Sequence, residues 1–247
     1  MSFKVSVITT TYNDAEHLKS VATKVMQQDY DNLEYIIVNG GEDIETDKVI
    51  ELVRSRLGDK LKVITGKDTG IYNAINKGLA AATGDVIGCC FDDFTQKSSL
   101  RKLVEAIENE GTDGVHADLC YVQDGKIVRR WHQGQGNLRT GWMPGHPTLY
   151  LKKEIYEKYG LYKEDYKIAA DYEFMVRILW KKDTKLSYVP ENLINMQYGG
   201  TSNNSLSAYL ISLKEGHRAL KENGVKFAFI TDICRTMRVL FQFVKKS

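Results

Sequence analysis

The strongest constraint on the fold is an alternation of strand and helix patterns through the first half of the chain. Short β-branched runs predict strands at Val5–Thr10, Glu34–Asn39, Leu61–Thr65 and Val86–Phe91. Apolar residues at helical spacing predict helices at Ala15–Gln28, Thr46–Arg56, Ile71–Ala81 and Leu100–Asn109. Four such repeats favour a mostly parallel sheet covered on both faces, and they place any ligand at the carboxyl ends of the strands.

The pattern changes in the second half of the chain. Two strands, Val115–Val122 and Lys126–Trp131, flank an Asp-Gly turn and predict a β-hairpin. The long loop that follows, Gln133–Pro147, carries two of the three prolines, and loops of this length are usually functional or mobile. The remaining predicted elements are helices at Lys152–Tyr159 and Ala169–Lys181, a strand near Leu186–Val189 and two terminal helices.

Composition excludes several classes of protein. The 247 residues include 34 Lys+Arg and 32 Asp+Glu, a net charge of +2, whereas a nucleic-acid-binding protein is usually far more basic. Apolar stretches are of strand length, and Met1 leads directly into a strand pattern, which predicts a cytoplasmic protein. The four cysteines, Cys89, Cys90, Cys120 and Cys234, show no C-x-x-C spacing and are expected to be reduced core thiols.

Polar residues follow the first two predicted strands. The first strand runs into Thr9–Asn13, and the second ends in Asn39 and two glycines. A ligand site and simple local structure, namely a helix N-cap and a tight turn, both explain these residues. The chain has no Gly-rich phosphate loop and no G-x-G-x-x-G motif, which removes the best support for an ATPase or a dinucleotide-dependent dehydrogenase.

Acidic residues occur at two further places of interest. Asp92 and Asp93 follow the apolar run Val86–Phe91, and they must be solvated, paired or bound to a cation, since bare burial is costly. A divalent ion such as Mg²⁺ or Mn²⁺, shared with substrate phosphates, fits such a pair, and a solvated turn is the alternative. Asp171 opens a helical run, where an acid is otherwise a helix-dipole partner. Together these residues describe a nucleotide-sugar site with a metal and a base.

Seven segments in the same order resemble family-2 inverting glycosyltransferases of the GT-A fold, in particular small bacterial enzymes of polysaccharide assembly. The segments lie at 7–13, 35–41, 68–78, 82–85, 92–93, 145–147 and 168–174. The resemblance covers roughly residues 3–202. It implies an α/β GT-A domain over 1–205, with a Rossmann-like nucleotide-binding sheet inside a mixed central sheet flanked by helices. A helical carboxyl extension over 206–247 would pack on this domain or on a membrane surface.

The resemblance also implies roles for individual residues. Those that would hold the nucleotide are Thr9, Thr11, Tyr12, Asn39, Asp68, Asn73, Asn76, Lys77 and Asp92. Asp93 and Asp92 would bind Mn²⁺ or Mg²⁺, and Asp171 falls where the family places its general base. Trp142 and His146 would face the acceptor.

Two departures from the family pattern matter. Relatives usually carry Asp where this chain has Asn39, whose amide adds a hydrogen-bond donor beside the base. The run from Gly84 to Asp93 is one residue shorter than usual, which leaves open whether Asp92 or Asp93 is the main metal ligand.

The implied reaction moves a sugar from a nucleotide sugar, most simply a UDP-sugar, to a hydroxyl of a saccharide or polyprenyl-diphosphate-linked saccharide in bacterial surface polysaccharide assembly. A divalent ion would stabilise the leaving diphosphate, and one carboxylate would accept the proton of the attacking hydroxyl. A nucleotidyltransferase is a second hypothesis, although Thr9–Asn13 replaces the Gly-rich, basic loop it would need. A non-catalytic carbohydrate-binding protein that kept the fold is a third.

The carboxyl terminus combines an apolar stripe with positive charge. The stripe consists of Phe227, Ile230, Ile233, Cys234, Met237, Leu240, Phe241 and Val244. The basic residues are Lys226, Arg235, Arg238, Lys245 and Lys246, against Asp232 alone. Core packing and peripheral contact of residues 225–247 with the inner face of an anionic membrane both explain this pattern.

Overall fold

The structure is a computed structural model that describes residues 2–180, 184–197 and 206–244. The strands are β1 (Val5–Thr11), β2 (Leu33–Asn39), β3 (Leu61–Thr65), β4 (Val86–Cys89), β5 (Asp93–Phe94), β6 (Gly114–Gln123), β7 (Lys126–Trp131), β8 (Tyr150–Lys152) and β9 (Leu186–Gln197). The helices are α1 (Ala15–Met26), α2 (Ile44–Leu57), α3 (Ile71–Ala81), α4 (Ser99–Glu110), α5 (Lys153–Tyr159), α6 (Ala170–Leu179), α7 (Leu206–Glu222) and α8 (Ala228–Val244). These elements confirm the predicted α/β class.

The strands form one mixed sheet in the order β3-β2-β1-β4-β8-β6-β9-β5, with β7 added to β6. The first four strands are parallel, whereas β8 runs antiparallel to both β4 and β6. Only residues 90–92 separate β4 from β5, yet β5 lies at the far end of the strand order, where it pairs with β9. The sheet must therefore curl back toward β4.

Helices cover both faces of the sheet, as expected for strands that are apolar on both sides. One core lies under α1, α2 and α4, and a second lies under α3, α5 and α6. Every residue of β2 is buried. Helix α1 begins where the carboxylate of Asp14 accepts the backbone N–H of His17 at 3.1 Å, and its buried face has the helical period Leu18, Val21, Val25.

Strand β9 is longer than the predicted Leu186–Val189 and continues through Pro190 to Gln197. Its pairing with β6 shifts register near Asp118, so Pro190 falls in a bulge where a missing N–H does no harm. Beyond the bulge the strand pairs with β6 on one side and β5 on the other. Strand β9 therefore continues because it pairs with β6 and β5, which are distant in sequence, although the local sequence pattern predicts that it ends.

The carboxyl extension packs on the domain through α7, the segment that follows it and α8. Leu220, Val225 and Ala228 form a small buried cluster with Leu138 and Val176. The predicted division at residue 205, the end of the helix predicted to reach Lys181, and Lys245 and Lys246 lie outside the described residues, as do the side chains of Leu240, Phe241 and Val244. Among the described residues, none of the helices combines the length and apolar character needed to cross a bilayer.

Candidate functional site

The carboxyl ends of β1, β2 and β4 meet at one edge of the sheet and form a crevice. Thr11 pairs with Asn39 at the last position of the β1–β2 ladder, and the N–H of Gly40 then donates to the Thr11 carbonyl at 3.0 Å. On the other side of β1, the N–H of Cys90 donates to the Ile8 carbonyl at 2.8 Å. The segments that carry the predicted nucleotide and metal residues therefore leave the sheet side by side.

Asp68, Lys77 and Tyr12 lie along one side of the crevice. The carboxylate of Asp68 forms an ion pair with Lys77, whose ammonium also donates to the Lys67 carbonyl at 2.8 Å. Asp68 packs so closely on the turn after β2 that a Cβ at Gly40 would lie 2.2 Å from its Oδ2 atom. Tyr12 lies 3.6 Å from the same point and is 72% exposed, so its ring is free to stack on a planar ligand.

Asn39 is buried at the end of β2, and both ends of its amide are hydrogen-bonded. Its Oδ1 accepts the N–H of Gly41 at 3.0 Å, and its Nδ2 donates to Asp47 on α2 at 3.3 Å. These two contacts fix the orientation of the amide. The oxygen keeps one lone pair for a ligand.

Thr9 is fully buried, and its hydroxyl is already satisfied by the protein. The hydroxyl donates to the Cys90 carbonyl at 2.7 Å and accepts the phenol of Tyr35 at 3.0 Å. Thr11 is also buried, 3.5 Å from the Asp14 carbonyl. In this structure Thr9 holds the exit of β4 against β1 rather than lining the crevice.

Asn73 and Asn76, on α3, bind the segment that precedes α6. Asn76 is buried and exchanges hydrogen bonds with the backbone of Tyr162, at 2.9 Å to its carbonyl and 3.0 Å from its N–H. Both amides donate to the Glu164 carboxylate at 3.0 Å. Sequence reasoning missed Glu164, because nothing local marks a carboxylate that pairs with residues so far back in the chain. The two asparagines thus join α3 to the segment that leads to Asp171.

The two acids after β4 have different environments. Asp92 is buried, and its Oδ1 accepts the N–H of Gln197 at 3.2 Å. Burial raises the pKa of Asp92 to about 6, although Gln197 and the nearby His17 oppose the shift. Asp93 is half-buried, and its carboxylate accepts the hydroxyl of Ser20, on α1, at 3.0 Å.

This donor set fits a divalent cation that is shared with substrate. Within the described ranges no three His, Cys, Asp or Glu side chains gather into a metal cluster. Mg²⁺ and related ions commonly use only one or two carboxylates and complete their shell with phosphate oxygens and water. A buried carboxylate with a raised pKa, such as Asp92, is a group whose charged form a cation would stabilise.

Asp171 lies in the first turn of α6, close to the beginning of α3. The hydroxyl of Tyr72 donates to its Oδ1 at 3.2 Å and also contacts the Ile168 carbonyl. Sequence reasoning missed Tyr72, although it lies within a segment that resembles the family. The first turn of α6 is therefore fixed to the helix that follows Asp68.

His146 connects the Asp171 side of the site to the acids after β4. Its ring stacks on Phe91, with centroids 6.4 Å apart, and its Nε2 is 2.8 Å from the Tyr162 hydroxyl. Burial lowers the pKa of His146, with the Asp171 charge opposing, so the ring is neutral near pH 7. His146 therefore lies between Phe91, which directly precedes the two acids, and Tyr162.

Trp142 does not join this group. Its indole N–H donates to the Gln133 carbonyl at 2.9 Å, and its ring is 8% exposed. It lines a cavity of about 630 Å³ with His116 and Trp180. Trp180 follows the last residue of α6, about two helical turns from Asp171.

Comparisons with known proteins identify the family of this chain. The family described as "Glycosyl transferase family 2" matches residues 6–175. An uncharacterized glycosyltransferase of Nostoc sp. is 31% identical over 169 residues, 63% of this chain and 52% of that protein. A PGL/p-HBAD biosynthesis glycosyltransferase of Mycobacterium bovis is 25% identical over 208 residues, 80% of this chain and 78% of its own. The chain thus spans about half the length of the Nostoc relative.

Solved structures share the fold at low sequence identity. S. aureus TarS residues 1–349 in complex with UDP-GlcNAc superposes with a TM-score of 0.74 at 17% identity, covering 98% of this chain and 73% of TarS 1–349. The mannosyltransferase PcManGT of Pyrobaculum calidifontis, in complex with GDP-Man and Mn²⁺, gives a TM-score of 0.65 at 15% identity, covering 100% and 77%. With the family match spanning more than half of the chain, this protein belongs to glycosyl transferase family 2 and is a glycosyltransferase with the GT-A fold.

Proposed function

We propose that the chain transfers a sugar from a UDP-sugar to a hydroxyl of a saccharide acceptor by a single displacement with inversion, with Asp171 as the general base. The contact between Tyr72 and Asp171 carries this proposal, because it fixes a carboxylate against the helix that leads away from Asp68. A single base without an enzyme nucleophile is what inversion by direct displacement requires.

The nucleotide would bind along the crevice. The exposed ring of Tyr12 would stack on the base, and the Asn39 oxygen would accept the uracil N3–H. Asp68 and Lys77 would contact the nucleoside and diphosphate. TarS in complex with UDP-GlcNAc supports a uridine nucleotide, whereas PcManGT, bound to GDP-Man, makes guanosine the main competitor.

Asp92 and Asp93 would hold Mn²⁺ or Mg²⁺, which when bound would stabilise the negative charge of the leaving diphosphate. The other work falls to the chain itself. The acceptor oxygen attacks the anomeric carbon as the bond to the diphosphate breaks, and the acceptor proton passes to the Asp171 carboxylate. Neutral His146 would hydrogen-bond the acceptor.

The acceptor proposed is a saccharide or a polyprenyl-diphosphate-linked saccharide used in bacterial surface polysaccharide assembly, at the cytoplasmic face of the membrane. Support comes from an exposed apolar patch on and next to α8, formed by Phe227, Phe229, Ile230, Ile233 and Met237. Lys226 and Arg238 are exposed beside it. Apolar side chains flanked by basic ones suit an anionic lipid surface.

The test is ligand binding together with turnover. We expect UDP with Mn²⁺ to raise the melting temperature, with about 2.7 kcal/mol of stabilisation at a hundredfold excess over Kd. Asp171→Asn should retain this shift but lower the rate of UDP release from UDP-sugars by about 10²–10⁴-fold. Asp165→Asn, which removes an exposed carboxylate paired with Arg218, is the matched control and should keep full activity.

The same measurements separate the alternatives. A larger shift with GDP would replace uridine by guanosine, and no shift with any nucleoside diphosphate would refute the donor proposal. A nucleotidyltransferase would release pyrophosphate from a nucleoside triphosphate and a sugar phosphate. A carbohydrate-binding protein would release no UDP from any UDP-sugar even before substitution.

A further inference from the structure

The side chain of Glu215, on α7, binds the turn that leads into α6. Its Oε1 accepts the N–H of Lys167 at 2.8 Å, and its Oε2 accepts the N–H groups of Ile168 and Ala169 at 2.9 and 3.0 Å. Three consecutive backbone donors thus share one carboxylate. The second residue of α6 is Asp171.

These three bonds hold the turn that enters α6. Ala169 is the N-cap of α6, and no side chain of the described residues caps the helix there. Backbone N–H groups at a helix start lack partners within the helix, and a negative charge near them is favourable. Hydrogen bonds to an ionised acceptor are also about twice as strong as neutral ones. Glu215, on α7, therefore places a negative charge at the start of α6.

Helix α7 is itself held firmly against α6. Glu173, fully buried on α6, accepts hydrogen bonds from Asn223 at 3.1 Å and pairs with Lys163 at 3.1 Å. Lys163 also pairs with Glu222 at 2.9 Å. These contacts fix the end of α7 about two turns beyond Glu215. The carboxylate that binds the turn thus stands on a fixed support.

The backbone of Ile168 is hydrogen-bonded through both its N–H and its carbonyl. Its N–H donates to Glu215, and its carbonyl contacts the hydroxyl of Tyr72, which also donates to Asp171. We propose that Glu215 is a positioning residue, which fixes the turn 167–169 so that the Asp171 carboxylate is held toward the acceptor hydroxyl. This inference rests on the proposed role of Asp171. It makes the carboxyl extension part of the catalytic unit.

The test compares Glu215→Ala with Lys214→Ala in the full chain. Lys214 also lies on α7, next to Glu215, but its side chain is exposed, and among the described residues no hydrogen bond joins it to the turn 167–169. The probes are UDP-GlcNAc and UDP-glucose with Mn²⁺, with water as acceptor and UDP release as the signal. We expect Glu215→Ala to lower kcat by about 10–100-fold with donor KM within twofold, because a 1 Å misplacement can cost about a hundredfold.

Two further readouts keep the inference decisive. Hydrogen exchange of the amides at 167–169 should accelerate in Glu215→Ala but not in Lys214→Ala, and Glu215→Gln, which keeps one acceptor oxygen, should recover part of kcat. Equal kcat in the two alanine variants, a loss confined to donor KM, or unchanged exchange at 167–169 would overturn the inference. If the unsubstituted protein turns over no UDP-sugar, the proposed function fails instead, and the exchange measurement still decides whether Glu215 holds the turn.

Discussion

The hydroxyl of Tyr72, on α3, lies 3.2 Å from Oδ1 of Asp171, on α6. One phenol therefore joins α3 to the helix that carries the proposed base. Burial raises the pKa of Tyr72, and the Asp171 charge raises it further, which keeps the phenol protonated and able to donate. The proposed donor site and the proposed base are therefore joined through a single side chain.

Tyr72→Phe should weaken catalysis more than binding. Loss of the hydroxyl frees Asp171 and leaves the Ile168 carbonyl without this contact, so we expect a fall in kcat of about fivefold to tenfold and a stability loss of about 1 kcal/mol. Donor KM should stay within twofold. Tyr159→Phe is the control, because its buried hydroxyl has no hydrogen-bond partner in the described part of the chain. Steady-state kinetics with equal kcat for both variants would contradict the linkage.

Gly40→Ala should damage nucleotide binding selectively. The new Cβ would lie 2.2 Å from Asp68 Oδ2, so the carboxylate must shift from its present position. Calorimetric titration should show UDP affinity reduced by about tenfold or more, which corresponds to about 1.4 kcal/mol. Gly111→Ala is the control for a destabilising glycine substitution away from the crevice. Gly111, at the end of α4, has φ +63°, and its new Cβ would meet no atom within 4 Å. The substitution should lower stability by about 1 kcal/mol and leave UDP affinity unchanged.

Asp92→Asn should remove the metal response. The amide keeps the shape of the carboxylate but lacks its charge, so Mn²⁺ should no longer raise the melting temperature of the UDP complex. Asp93→Asn should retain a weaker response, because Asp93 is half-buried and already accepts a hydrogen bond from Ser20. The opposite ranking in a Mn²⁺ titration of the two variants would assign the ion to Asp93.

Glu34 should make the protein sensitive to acid. Its carboxylate is buried on β2, and although burial opposes ionisation, hydrogen bonds from Lys62, Ser6 and Thr83 lower its pKa to about 2. A lowered pKa stabilises the fold above about pH 4.5, and this stabilisation is lost as pH falls toward 2. Urea titration of Glu34→Gln should therefore show a loss of about 3 kcal/mol at pH 7 that shrinks below pH 4.5. Glu51→Gln, at an exposed ion pair, should change stability little at any pH.

The apolar patch at α8 should bind anionic membranes. Replacing Phe229, Ile230 and Ile233 by Ser removes exposed apolar side chains and should abolish co-sedimentation with phosphatidylglycerol vesicles. Ile127→Ser with Val128→Ser removes similarly exposed side chains from the β-hairpin and should not affect sedimentation. Equal sedimentation of the unsubstituted and triple-substituted proteins would contradict the membrane proposal. Dimer dissociation by the triple substitution in ultracentrifugation would instead assign the patch to a second copy.

The first half of the fold could be predicted because its signals are local. The predicted bounds Leu61–Thr65 and Ile71–Ala81 agree with β3 and α3, since β-branched runs and helical spacing act within one element. Strands β5 and β8 are two and three residues long, and their pairing partners lie far along the chain. No local sequence pattern predicts strands that are so short and pair with such distant partners.

The site divides in the same way. Asp92, Asp93 and Asp171 follow or open regular elements, so their positions could be read from motif order. The sequence does not show that the Thr9 hydroxyl is used by the core, or that Asn76 binds the backbone of Tyr162, because these depend on the packing of distant elements. The roles assigned to these residues stay predictions until binding is measured.

The short link between β4 and β5 limits how far the two ends of the curled sheet can move apart. Four Cα–Cα steps from Cys89 to Asp93 can span no more than about 14 Å, whereas the sheet reaches the same two points by way of three intervening strands. If β4 and β9 moved apart beyond that limit, the pairing of β5 with β9 would break. Asp92 lies inside this link, so the same limit restricts how far Asp92 can move away from β4.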